Sequence, residues 1–120
     1  MTSVLVRHAS AGERAEWDAD DRLRPLDAEG RRQAEALVDL LRTFEVRRIV
    51  SSPFLRCIET VEPLAEALGL EVEHDDRLAE GAGTAARELL REEGVVACTH
   101  GDVAEHLLGH GLKKGEAVFV

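Results

Sequence analysis

The chain has 120 residues, 44% hydrophobic and 32% charged, which suits one small globular domain over residues 1–120 with a single core. A net charge of −9 and a pI near 5.0 exclude a general nucleic-acid or membrane-surface binder, which needs a basic face. An anionic small substrate stays admissible, because a few arginines can make one pocket locally positive. No apolar run reaches the roughly 18 residues of a membrane span, and the N-terminus has no signal-peptide pattern. A cytoplasmic location is expected, with no membrane and no nucleic-acid partner.

Residues 2–7 read as the first strand, with Val4-Leu5-Val6 running straight into Arg7-His8 and then Ala9-Ser10-Ala11-Gly12. A buried strand cannot continue through Arg-His without burying charge at high cost. The strand therefore ends there, and its last side chains are expected at the carboxyl edge of a sheet, where open α/β sheets bind ligands. Residues 9–26 form a polar loop with Trp17, Asp18, Asp20 and Asp21, then Arg22-Leu23-Arg24-Pro25-Leu26. So long a loop in a compact domain is often functional. Arg22 and Arg24 can reach a substrate, although pairing with the neighbouring aspartates is the simpler expectation.

Asp27 suits an N-cap, and Ala34, Leu37, Val38, Leu41 and Phe44 share one helical face, which predicts a helix over 28–44. Val46 to Ser51 reads as the second strand. Ser52-Pro53 reads as a helix start, Ser as N-cap and Pro at the first position, so Arg56 is held in the first turn just past that strand. Ile58, Val61, Leu64, Ala65 and Leu68 line the helix's buried face and Gly69 stops it. Pro63 is expected to kink or split it. Leu70 to His74 suits a short strand, and 75–83 a loop containing Leu78-Ala79-Glu80-Gly81. Thr84 is read as the cap of a short helix over 85–93, ended by Gly94. Val95 to Thr99 is the most apolar strand and runs into His100-Gly101-Asp102. A helix with Val103, Leu107 and Leu108 follows, and Ala117 to Val120 is the last strand.

Strands alternating with helices predict an α/β fold, a three-layer sandwich with a mostly parallel central sheet and helices on both faces. Cys57 and Cys98 lack the spacing of a disulfide framework or zinc site and read as packing residues. His106 and His110 are four apart on a helix, a spacing able to bind metal, but no third ligand of fitting type is nearby. His74 reads as a surface residue beside Asp75 and Asp76.

Two strands thus end in histidine, at His8 and at His100. If they are neighbours in a parallel sheet, both imidazoles reach one cleft, and Arg56 can point there too. Two histidines and two arginines around helix N-termini suit a dianion such as a phosphoryl group. Val6-Arg7-His8, Ser51-Ser52-Pro53-x-x-Arg56-x-x-x-Thr60 and Thr99-His100-Gly101-Asp102 together resemble the histidine phosphatase superfamily, the phosphoglycerate-mutase-like fold, over almost the whole chain. The short length and Arg24 to Gly30 look most like its small bacterial phosphohistidine phosphatases. Residues 1–50 are also similar to the compact module fused to Nudix domains in some actinobacterial nucleotide hydrolases.

The resemblance implies His8 as the nucleophile, with Arg7, Arg56 and His100, and the Gly101 backbone, holding the phosphoryl oxygens. It implies Glu80 as the acid that protonates the leaving oxygen, with Asp21 and Asp102 as alternatives. Neither cofactor nor metal is implied, since arginines supply the charge clamp. One departure stands out: Ala9 replaces the family's usual glycine, which matters only if that backbone needs a positive φ. The implied activity is a metal-independent phosphatase working through phosphohistidine on a phosphohistidine protein or a small phosphorylated molecule. The absence of a lid-sized insertion argues against a mutase. Alternatives are a nucleotide polyphosphate hydrolase of the same fold, a phosphate-recognition domain without turnover, and an interaction domain with no site. Oligomeric state and substrate are not legible in the sequence.

Overall fold

The computed structural model describes residues 2–120. Its order is β1 (Val4–Arg7), α1 (Ala28–Leu40), β2 (Arg48–Ser51), α2 (Leu55–Leu68), β3 (Val72–His74), β4 (Val95–Thr99), α3 (Gly101–Leu108) and β5 (Ala117–Phe119). The five strands form one sheet in the order β3-β2-β4-β1-β5. All neighbours are parallel except β5, which runs antiparallel to β1 along the edge. The α/β sandwich read from the alternation of strands and helices is the fold observed.

Strand alternation sorts the core. Val4, Val6, Ile49, Val96 and Cys98 pack with Leu37, Leu41, Val61 and Leu64 on the face covered by α1 and α2. Leu5, Val50, Val95 and Ala97 face the other way, onto Leu78, Ala86, Leu89 and Ala104. These strands have no solvent face, so each fully buried Val or Leu contributes about 1.5–3 kcal/mol.

Several boundaries differ from the sequence reading. The first helix ends at Leu40 and not at residue 44. Leu41 and Phe44 still pack into the core, through a turn. The second helix starts at Leu55, with Phe54 and not Ser52 as its N-cap. Pro63 does not split it: the helix is continuous from Leu55 to Leu68. Proline removes one N–H, but Val61, Leu64 and Ala65 are all buried around it and keep the segment helical. The helix expected over 85–93 is absent. Turns fill the segment, with one 3-10 turn at Leu89–Arg91. So short a segment cannot sustain a helix without a continuous apolar face to pack, and the buried Ala86 and Leu89, three apart, fit 3-10 spacing.

Gly30 joins the loop after β1 to α1. Its N–H donates to Asp27 Oδ1 at 2.8 Å, the N-cap bond of α1. A Cβ built on Gly30 would lie 1.9 Å from the Ser10 carbonyl oxygen. Only glycine lets the helix approach the chain just past His8 this closely. Gly30→Ala is therefore expected to cost about 1–3 kcal/mol by overpacking, read as a lowered urea midpoint. An unchanged midpoint would mean the loop yields freely.

Candidate active site

The site follows from strand register. β1 and β4 are adjacent and parallel, with Arg7 opposite Thr99. The next residue of each chain segment is a histidine, so His8 and His100 leave the sheet side by side. Their rings meet edge-on with centroids 5.5 Å apart, and the His8 N–H donates to the Thr99 carbonyl at 3.0 Å. β2 flanks β4 on its other side and delivers Ser52 and the start of α2 to the same edge.

His8 is buried, only 7% exposed. Its Nδ1 donates to the Ala9 carbonyl at 2.8 Å. A carbonyl only accepts, so Nδ1 carries the ring proton and the neutral ring keeps its lone pair at Nε2. Burial, followed by the charges of Arg56, His100 and Arg7, pushes the His8 pKa down to about 3, against the opposing pull of the Ala9 hydrogen bond. His8 is thus neutral at pH 7 while surrounded by cations. Ala9 is fully buried and no residue other than glycine has a positive φ among those described, so the alanine fits without strain. The Ala9 N–H donates to Thr60 Oγ1 at 2.9 Å, and that hydroxyl donates to the Arg56 carbonyl at 2.7 Å. Thr60 thereby ties the residue after His8 to the helix that carries Arg56.

Arg56 is 0% exposed. Its Nη1 donates to the Asp21 carbonyl at 2.9 Å, and its Nη2 to Asp21 Oδ2 at 3.1 Å and Glu80 Oε1 at 2.9 Å. Its guanidinium lies 5.0 Å from the centre of the Phe54 ring. Burial works to raise the Asp21 pKa, but the Arg24 hydrogen bond and the charges of Arg56 and Arg14 hold it below the usual carboxylate range. Arg7 Nη1 donates to the Leu112 carbonyl at 2.8 Å. A Cβ on Gly101 would come within 2.9 Å of Arg7 Cζ, so the glycine after His100 makes room for that guanidinium.

His100 Nε2 is 2.9 Å from Ser52 Oγ and 3.6 Å from Cys57 Sγ. Ser52, expected as a helix cap, orients this imidazole and also accepts the Phe54 N–H at 3.2 Å. Cys57 and Cys98 are both buried free thiols. Glu80 Oε1 lies 3.7 Å from His100 Nδ1. Among the described residues, four buried side-chain atoms have no hydrogen-bond partner: Arg7 Nε, Arg56 Nε, His100 Nδ1 and Asp102 Oδ1. An unmet buried donor costs about 1–3 kcal/mol. Two N–H donors bearing that cost, Arg7 Nε and Arg56 Nε, and the unpaired ring nitrogen of His100 thus gather at the sheet edge that carries His8.

Arg7, His8, Arg14, Glu80, His100, Gly101 and Asp102 line a cleft of about 280 Å³. The sequence reading did not single out Arg14. It lies on the polar loop and grips Glu80 with both Nη atoms, at 3.2 and 3.0 Å. No periodicity marks it, since it stands in a single 3-10 turn, Arg14–Glu16, too short to show one; its only sequence signal is a cation six residues past His8. Arg22 and Arg24 do not reach the cleft as substrate ligands. Arg22 pairs with Asp20 at 2.6 Å, and Arg24 pairs with Asp21 at 3.1 Å and donates to the Ala11 carbonyl at 2.7 Å. His106 and His110 bond to backbone carbonyls and are exposed.

The sequence profile of the histidine phosphatase superfamily (branch 1) matches residues 3–86. The chain belongs to that superfamily. It is 37% identical over 116 residues to an 8-oxo-(d)GTP phosphatase of Mycolicibacterium smegmatis, covering 89% of this chain and 36% of that protein. It is 36% identical over 81 residues to a probable phosphoglycerate mutase GpmB of Citrobacter koseri, covering 63% of this chain and 36% of that one. The chain thus spans about a third of the length of these curated relatives. Its fold is that of Bacillus stearothermophilus YhfR (TM-score 0.81, 18% identity, covering 98% of this chain and 89% of that one). It is also that of the protein histidine phosphatase SixA complexed with tungstate (TM-score 0.70, 22% identity, covering 100% and 94%). No helix among the described residues is long and apolar enough to cross a membrane.

The His8 environment has a pH signature. Between pH 6.5 and about 3, unfolded His8 binds a proton that the folded protein refuses. His8 therefore withdraws stability as pH falls through that window and leaves it unchanged above it. In a nitrogen-detected NMR titration the His8 ring should stay neutral, protonated at Nδ1, down to at least about pH 4.5. A midpoint near 6.5 would contradict the burial described.

Proposed function

We propose that this chain is a metal-independent phosphatase in which His8 takes the phosphoryl group and water then releases it. The observation that carries this reading is a neutral His8, its Nδ1 proton committed to the Ala9 carbonyl, within the field of Arg7 and Arg56, whose buried Nε donors are unmet. Glu80, paired with Arg14 and Arg56 in the free protein, takes up a proton as the phosphoryl group displaces it from Arg56; His8 Nε2 then attacks phosphorus, the bond to the leaving oxygen breaks, and Glu80 gives that oxygen the proton. Arg7, Arg56, His100 and the Gly101 backbone hold the three phosphoryl oxygens, whose charge grows in transfer. Glu80, now a carboxylate, takes a proton from water as the water attacks the phosphohistidine. Phosphate leaves, and His8 and Glu80 return to their starting states.

Arg56 is wholly covered by Asp21 and Glu80. In this reading the carboxylates hold the place of the substrate's oxygens and yield part of it when a phosphoryl group arrives. The exposed rim favours a phosphorylated small molecule or a phosphohistidine side chain over a substrate that must be sealed in. A second substrate reading, a nucleotide polyphosphate, draws on Arg14. This guanidinium at the cleft rim stands beyond the inner set that one phosphoryl group needs, and it suits a leaving group that is itself a phosphate. The similarity to the mycolicibacterial 8-oxo-(d)GTP phosphatase over most of the chain supports the same reading.

The test is turnover of p-nitrophenyl phosphate, a phosphohistidine peptide and nucleoside di- and triphosphates in chelator, with His8→Ala alongside. Activity should survive chelation and fall on the order of 10³-fold or more in His8→Ala. The preferred member of the panel identifies the substrate class. Phosphate binding without turnover by the wild type would replace this reading with a recognition domain.

A further inference from the structure

Of the two acidic residues that line the cleft, Glu80 pairs with arginines, whereas Asp102 forms no ion pair with an arginine among the described residues and only its charge acts on Arg14. It stands in the first turn of α3, two residues past His100. Its Oδ2 accepts the Gly81 N–H at 2.8 Å across 21 residues of sequence. Gly81 directly follows Glu80 and has φ +85°, so the loop turns back on itself at that bond. On the other side of Glu80, Thr99 Oγ1 donates to the Leu78 carbonyl at 2.6 Å. The two bonds bracket Glu80 and tie its loop to the strand end and helix start that carry His100. Loop bonds internal to the segment, Ala79 N–H to Asp76 and Ala82 N–H to Ala79, shape the turn but do not anchor it to the sheet.

We infer that Asp102 is a positioning residue for the leaving-group acid: it fixes the Glu80 loop over His8 through the Gly81 amide. This rests on the assignment of Glu80 as that acid. An acid contributes only when it lies within hydrogen-bond reach of the leaving oxygen, and Glu80 is a half-exposed side chain on an irregular loop. Arg14 and Arg56 hold its carboxylate in the free protein, and in the proposed reaction an arriving phosphoryl group competes for Arg56. The Asp102–Gly81 bond, with Thr99–Leu78 on the other side of Glu80, is then an anchor that uses no cation of the site. Asp102 as the acid itself is the poorer assignment, because one oxygen is committed to Gly81.

The test compares Asp102→Ala, Asp102→Asn and Glu80→Gln on aryl phosphates with leaving groups from 2,4-dinitrophenol to phenol, reading kcat/KM. Asn keeps an oxygen for the Gly81 N–H and should stay within about 3-fold of wild type. Ala should lose about 10- to 30-fold on phenyl phosphate and little on the dinitrophenyl ester, which needs no acid. Glu80→Gln should show the same dependence, more steeply. A uniform loss in Asp102→Ala across all leaving groups, or an Asn variant as poor as Ala, overturns the inference while leaving Glu80 as the acid. A flat response in Glu80→Gln overturns the acid assignment, and the role of Asp102 falls with it. The Gly81 amide proton shift supplies a readout independent of activity. It should move upfield in Asp102→Ala and stay near its wild-type value in Asp102→Asn; an unmoved resonance in Ala means the bond is not formed.

Discussion

A guanidinium with no exposure to water, that of Arg56, is the constraint on which the rest of the site depends. An unpaired buried cation costs several kcal/mol, so its partners are obligatory. Asp21 comes from the loop after β1, Glu80 from the loop after β3, and Phe54 from the start of the same helix. Meeting the needs of one cation therefore draws two irregular segments onto the carboxyl edge of the sheet. Both segments lack regular structure that could hold them there.

The same arrangement sets the chemistry of His8. Cations that would hold a phosphoryl group also repel a proton from the imidazole, and burial adds to that effect. In the proposed reaction one electrostatic field thus serves two needs, anion binding and a neutral nucleophile. The carbonyl of Ala9 contributes the rest by fixing the proton on Nδ1. That bond requires only that the backbone turn after β1, which explains why an alanine with ordinary backbone angles serves where the superfamily's usual residue is glycine.

Legibility in the sequence tracked the regularity of the backbone. The strand cores were readable because burial on both faces of the sheet leaves continuous apolar runs such as Val4-Leu5-Val6 and Val95-Val96-Ala97. His8, His100 and Arg56 were readable because each stands one or a few residues past a strand end. The errors lie where local propensity met tertiary packing. The segment 85–93 is rich in helix formers yet makes turns, with Ala86 and Leu89 buried in the core and Leu90 packed partly against it. Pro63 carries a local signal for a break, overruled by the buried residues around it. Arg14, and the different duties of Asp21 and Asp102, carried no pattern, since loop side chains have no period to reveal their direction.

The sequence by itself determined the α/β class, the edge of the sheet that matters and the histidines and arginines that gather there, because apolar periodicity ends where charge begins. Only the tertiary structure decided which acid meets which cation. Asp21 and Glu80 go to Arg56, and Asp102 goes to the amide of Gly81. The reason is physical: with 24 acidic side chains in the chain, composition does not distinguish them, and their roles follow from the distance at which the folded loops leave each one.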